Sequence, residues 1–161
     1  MTDQSTTLTV AIGSDHRGSS AAEQILDTIK QLGHDGWIVG QCDDQPCDYP
    51  EVAWQVGQEV TSGKATRGVL ICGTGIGMSI AANKIDGLRA SLVHDELTAQ
   101  LSRSHNDANI LCLSADLLGA RLMDKIVETW IGTPFDGGRH ERRINKITEI
   151  EKGHDPSLVS A

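Results

Sequence analysis

Residues 67–84 read RGVLICGTGIGMSIAANK. The first six are a short apolar run rich in branched side chains and closed by glycine, the pattern of a strand covered on both faces. Gly73, Gly75 and Gly77 follow at alternate positions, and Met78–Ile85 then carries helical periodicity. A strand that passes through a glycine loop straight into a helix is half of a βαβ unit.

The same switch recurs on both sides of this stretch. LTVAIG (8–13), GWIVG (36–40), LRASLV (88–93) and NILCLS (109–114) are further strand runs. Between the first two, Ala22, Ile25, Leu26, Ile29 and Leu32 form one helical stripe. Ser20-x-x-Glu23 reads as its capping box and Gly33 as its stop. Pro50 opens a second helix through Val52, Ala53, Val56 and Val60, ended by Gly63. Glu96–Arg103 and Leu117–Trp130 supply two more. Such alternation predicts an α/β fold: a five-stranded parallel sheet with helices on both faces and right-handed crossovers. The last amphipathic segment, His140–Lys152, has no strand after it. It is either an extra C-terminal helix packed on the domain or an arm laid on a partner. The expected organisation is a polar tail over 1–7, a single domain over 8–152 and a C-terminal tail over 153–161.

Composition sets limits on function. The 161 residues are 39% hydrophobic and 22% charged, an ordinary globular mix rather than a disordered or collagenous one. Fourteen Lys and Arg against 22 Asp and Glu give a net charge of −8, which argues against a nucleic-acid binder. No apolar stretch approaches the ~18–20 residues that span a bilayer, and MTDQSTT lacks a signal-peptide core, so no membrane role and a cytoplasmic location are expected. Four cysteines are too few for a disulfide scaffold. Cys42 and Cys47 lie in a polar loop with no second pair to complete a zinc site, so no metal is expected.

In an open parallel sheet ligands bind at the carboxyl ends of strands. The first strand runs into Gly13-Ser14-Asp15-His16-Arg17-Gly18, placing a carboxylate beside an imidazole. The third runs into the glycine loop behind Cys72, where a helix N-terminus offers N–H donors. The spacing G-x-G-x-G is not the dinucleotide fingerprint, and no Lys-Ser/Thr follows to make a P-loop. A thiol at a helix N-terminus can serve as base or nucleophile; position alone equally suits Cys72 as a small buried strand residue.

A second group comprises Ser102-Arg103-Ser104-His105-Asn106-Asp107 and Gly137-Gly138-Arg139-His140-Glu141-Arg142-Arg143. Arg139 and Arg143 share a helix face, a like-charge pair that costs roughly 0.2–0.5 kcal/mol unless an anion sits between them. Phosphate suits such a fork; a solvated basic patch is the plain alternative. Topology separates the two groups. Asp15, His16 and the Cys72 loop belong to the carboxyl edge, His105, Asn106 and Arg139 to the amino edge. They can meet across a two-fold axis, which predicts an obligate dimer with two shared sites.

GSDHRG (13–18), DYP (48–50), GVLICGTGIGMSIAANK (68–84), SRSHNDANILCL (102–113) and GGRHERR (137–143) resemble, in order and spacing, the ribose-5-phosphate isomerase B family, which also includes galactose-6-phosphate isomerase subunits. The resemblance implies a three-layer α/β/α Rossmann-like domain and a homodimer, or a tetramer made of two such dimers. It implies an aldose–ketose isomerase of carbohydrate metabolism, in the pentose phosphate pathway, that interconverts ribose 5-phosphate and ribulose 5-phosphate through an enediolate. Cys72 matches the family's base, Thr74 the residue assisting proton movement and His105 the ring-opening acid/base. Gly73, Gly75, Gly77 and Ser79 would supply N–H groups to the enediolate oxygen. Asp15 and Asn106 match sugar-hydroxyl ligands, and His16, Arg139 and Arg143 the phosphate ligands. No cofactor is implied.

Some family members take their base from a glutamate where this chain has Met78, so the chain resembles the cysteine type. One departure touches specificity: the family commonly reads Gly-Ala-Arg after the fifth strand, with the Arg directed toward substrate, where this chain reads Ser114-Ala115-Asp116. Asp116 either alters the accepted sugar (a tetrose, allose or galactose phosphate) or caps the following helix. A non-catalytic sugar-phosphate binder would not need Cys72, Thr74 and His105 together. A nucleotide- or flavin-binding module fits the glycine spacing poorly.

Overall fold

The computed structural model describes residues 7–40 and 46–159. Most of the tail 1–7, Cys42 and the end of the tail 153–161 therefore lie outside the described residues. In chain order the elements are β1 (Thr9–Ser14), α1 (Ser19–Gln31), β2 (Asp35–Ile38), α2 (Tyr49–Thr61), β3 (Arg67–Cys72), α3 (Ile76–Ala82), β4 (Ala90–Leu92), α4 (Glu96–Ser104), β5 (Ile110–Ser114), α5 (Ala120–Gly132) and α6 (Arg139–Glu151), followed by a 3-10 turn at Pro156–Leu158. The strands form one parallel sheet in the order β2-β1-β3-β5-β4.

Strand side chains alternate between two cores, which is why the strand runs are apolar throughout. Val10, Ile12, Val69, Ile71, Leu111 and Leu113 face one layer, where α1, α4 and α5 bring Ile25, Ile29, Ala99, Ile126 and Trp130. Ala11, Leu70, Cys72, Ile110 and Cys112 face the other, against Val52 and Val56 of α2 and Met78 and Ala82 of α3. Each fully buried Val, Leu, Ile or Met among these stabilises the fold by about 1.5–3 kcal/mol. Met78 is one of them, packed away from the glycine loop in the second core.

Helix ends follow local chemistry, with two corrections to the sequence reading. Gly33 and Gly63, at φ +83° and +78°, stop α1 and α2 as expected. The Ser20–Glu23 capping box does not form: α1 starts at Ser19 behind Gly18, with no side-chain cap. Gly18 lies so close to β3 that a Cβ there would come within 2.8 Å of Ile71 Cγ2, and this approach sets where the helix begins. α5 starts at Ala120 behind Gly119 rather than at Leu117, because Ser114 Oγ takes the Leu117 N–H at 3.0 Å. α6 forms as predicted, buries only His140 and leaves Ile147 and Ile150 exposed. The Glu151 carboxylate accepts the Gly87 N–H and ties its far end to the domain. Among the described residues no helix is long and apolar enough to cross a membrane.

Candidate active site

β1 and β3 are neighbours, but the chain leaves them in opposite directions: toward β2 on one side, toward β5 and β4 on the other. A switch of this kind opens a crevice at the carboxyl ends of the two strands. Both predicted carboxyl-edge groups lie there. Asp15 is buried; its N–H donates to Ile71 O at 3.1 Å and its carboxylate accepts the Arg17 N–H at 2.9 Å. His16 is exposed beside it.

Cys72 ends β3 with 5% of its surface exposed, and its Sγ accepts the Gly75 N–H at 3.1 Å. Gly75 stands at φ +76°, and a Cβ there would lie 2.5 Å from Leu92 Cδ1, so glycine alone fits this turn. Gly77 makes room for Tyr49, whose ring would meet a Cβ at 2.6 Å; the Tyr of the DYP stretch thus covers the first turn of α3. Thr74 is exposed, its Oγ1 accepting the Ile76 N–H at 3.3 Å.

The N–H donors differ from expectation in detail. The Ser79 N–H is already bonded to Gly75 O at 3.1 Å, because it closes the first helical turn. The Gly75 N–H serves the Cys72 sulfur. The amides of Gly73, Thr74, Gly77 and Met78 have no acceptor among the described residues and are the open donors. The Gly73 carbonyl is clamped, accepting from Ser114 Oγ at 2.6 Å and the Asp116 N–H at 3.0 Å. Clamping that carbonyl turns the Thr74 N–H of the same rigid peptide the opposite way.

The amino-edge group also assembles. His105 caps the end of α4, and its ring stacks on His140 with centroids 4.1 Å apart and planes 9° from parallel. His140 Nε2 accepts from Arg139 Nε at 3.3 Å. Burial, then the proximity of His105, Arg139 and Arg143, lowers the pKa of His140 against an opposing pull from Asp136. The loop carrying His105 and Asn106 is held from below: Asp107, at φ +45°, binds Arg89 at 2.9 Å and buried Arg103 at 2.8 Å. Arg103 also donates to Ala108 O and lies over Trp130, as does Arg67. Burial beside Arg103 lowers the pKa of Arg67 to about 10.

His105, Asp136 and His140 hold ligating atoms within 4.8 Å of one another. A cation there would sit against the Arg139 and Arg143 guanidiniums, so the cluster suits proton handling near an anion better than metal binding. Arg139 and Arg143 start α6, one helical turn apart.

The two groups stay apart within one chain. Ser114 pairs with Cys72 at one end of β5, while His105 precedes Ile110 at the other, about 15 Å of strand away. Sequence reasoning did not find three features: the His105–His140 stack, the Ser114 clamp and an ion pair between Arg17 and Asp116. Asp116 does not cap α5; it accepts from Arg17 Nε and Nη2 at 2.8–3.2 Å. Residues 99 apart with no shared periodicity leave no signal for such a pair.

A family model described as ribose/galactose isomerase matches residues 10–147. Ribose-5-phosphate isomerase B of Escherichia coli K12 is 41% identical over 143 residues, covering 89% of this chain and 96% of that protein. The structure of Clostridium thermocellum ribose-5-phosphate isomerase B matches with a TM-score of 0.88 at 44% identity, over 91% of this chain and 99% of the other. D-erythrulose-4-phosphate isomerase of Pectobacterium atrosepticum is 36% identical over 146 residues, 89% and 95% of the two chains.

Proposed function

The chain belongs to the ribose/galactose isomerase family, and we propose that it interconverts ribose 5-phosphate and ribulose 5-phosphate in sites shared between two copies of the chain. The observation that carries this reading is the Cys72 sulfur, held by the Gly75 N–H at 3.1 Å beside the open amides of Gly73, Thr74, Gly77 and Met78. A proton acceptor next to fixed donors is what an enediolate needs.

In this mechanism His105 of the partner subunit opens the sugar ring. Cys72, as thiolate, takes the C2 proton of the open aldose; the C1–C2 double bond forms and the carbonyl electrons move onto O1. The loop amides hold that charge. The thiol returns the proton to C1 while Thr74 assists the transfer from O2 to O1, which leaves the ketose. Asp15 and the partner's Asn106 hold hydroxyls; His16 and the partner's Arg139 and Arg143 hold the phosphate. No step calls for a cofactor, since fixed dipoles carry the developing charge.

Two features support the dimer. About 15 Å of strand separates groups that must act together, and Trp54, Ile76 and Ile80 stand 52–59% exposed on α2 and α3 beside the glycine loop. A second reading keeps the chemistry and changes the sugar, favoured by Asp116 at a position where the family commonly carries Arg. The test is a coupled isomerase assay with ribose 5-phosphate beside tetrose and hexose phosphates under identical conditions. High kcat/KM on ribose 5-phosphate upholds the pentose reading; poor pentose turnover beside a better tetrose or hexose phosphate replaces it with the second.

A further inference from the structure

We propose that Arg17, held in place by Asp116, is a phosphate ligand of this site, supplying from the β1 loop the cation that the β5 loop lacks. The inference rests on the sugar-phosphate reading above. A guanidinium has two edges that can each bind an oxyanion with two hydrogen bonds. Asp116 occupies the edge made by Nε and Nη2, with Nε 3.0 and 3.2 Å from its two oxygens and Nη2 2.8 Å from one. The edge made by Nη1 and the second Nη2 hydrogen remains, and Nη1 has no partner among the described residues. Half of the Arg17 side chain is exposed.

An exposed ion pair is usually of little consequence; its position distinguishes this one. Arg17 is the residue after His16, and its N–H is fixed on Asp15. Asp116 reaches over from β5, its own N–H fixed on Gly73 O. The pair therefore spans the crevice from the β1 loop to the β5 loop, directly above the glycine that follows Cys72. A Cβ on Gly73 would meet Asp116 Oδ2 at 2.9 Å and Arg17 Nε at 3.0 Å. A flexible arginine loses side-chain freedom when it binds an anion, and the carboxylate bears that loss before substrate arrives. Asp116 is thus a positioning residue, and Arg17 the group that meets the dianion.

The test compares R17A and the swapped double variant R17D/D116R with the parent protein. It reads KM and kcat for ribose 5-phosphate and the binding of inorganic phosphate by calorimetry. R17A should raise KM and weaken phosphate binding about tenfold, with kcat within about threefold. The swap, which presents an anchored guanidinium from β5, should bring both back to within about threefold of the parent protein. Unchanged KM and phosphate binding in R17A, a loss confined to kcat, or a swap no better than R17A would overturn the inference. If the parent protein turns over no sugar phosphate, the isomerase reading fails by itself. Phosphate calorimetry then still decides on Arg17: weaker binding in R17A upholds its role and equal binding refutes it.

Discussion

The Gly75 amide donates to the Cys72 sulfur across the turn that ends β3 and begins α3. One hydrogen bond thereby joins the proposed base to the peptide that shapes its donor loop. The turn depends on a left-handed residue pressed against Leu92 and the backbone of Leu113. Gly75→Ala adds both backbone strain and a steric clash, which should lower stability by at least about 1–3 kcal/mol. Urea unfolding measures the loss, and isomerase activity should fall with it. A variant as stable as the parent would show that the loop tolerates a Cβ.

Cys72→Ala should remove turnover by a factor of about 100 to 10,000, the usual contribution of a positioned base. Binding of inorganic phosphate should persist, because the proposed phosphate ligands do not include Cys72. Steady-state assay and calorimetry on the same preparation check both halves. Normal turnover would remove Cys72 from the mechanism.

Arg139→Ala and Arg143→Ala should each raise KM about tenfold to a hundredfold and leave kcat nearly unchanged, since phosphate is held in ground and transition states alike. A kcat loss at constant KM would place the arginines near the enediolate instead.

His140 predicts a pH dependence of stability. Burial and the adjacent His105, Arg139 and Arg143 hold its pKa in the folded protein below the ordinary imidazole value of about 6.5. Below that value the unfolded chain binds a proton that the fold resists, so stability falls as pH drops from about 6.5 through the depressed folded value. Urea midpoints between about pH 8 and about pH 5 should show this slope, and His140→Asn should flatten it. An equal slope in the variant would assign the titration to other groups.

The fold was legible wherever a periodic pattern met a stop signal. β3 spans the same six residues as its apolar run, and Gly33 and Gly63 end their helices where a left-handed residue is needed. Ser20 misled because tertiary contact, the packing of Gly18 on Ile71, overrode a local capping motif. Leu117 misled because Ser114, on another element, takes its N–H. The site was legible as two sheet edges, since strand direction alone assigns Cys72 and His105 to opposite ends. Arg17–Asp116 and His105–His140 were not, because a stack or an ion pair between distant elements leaves no local trace.

In the proposed shared site, Cys72 comes from one chain and His105 from another. The most direct measurement mixes two inactive variants, Cys72→Ala and His105→Ala, after joint unfolding and refolding. In a mixed dimer one site pairs an intact Cys72 with an intact His105 while the other loses both. Random reassortment should then restore about a quarter of the parental activity. A mixture in which mixed dimers form but activity stays at the level of the separate variants would contradict the shared site.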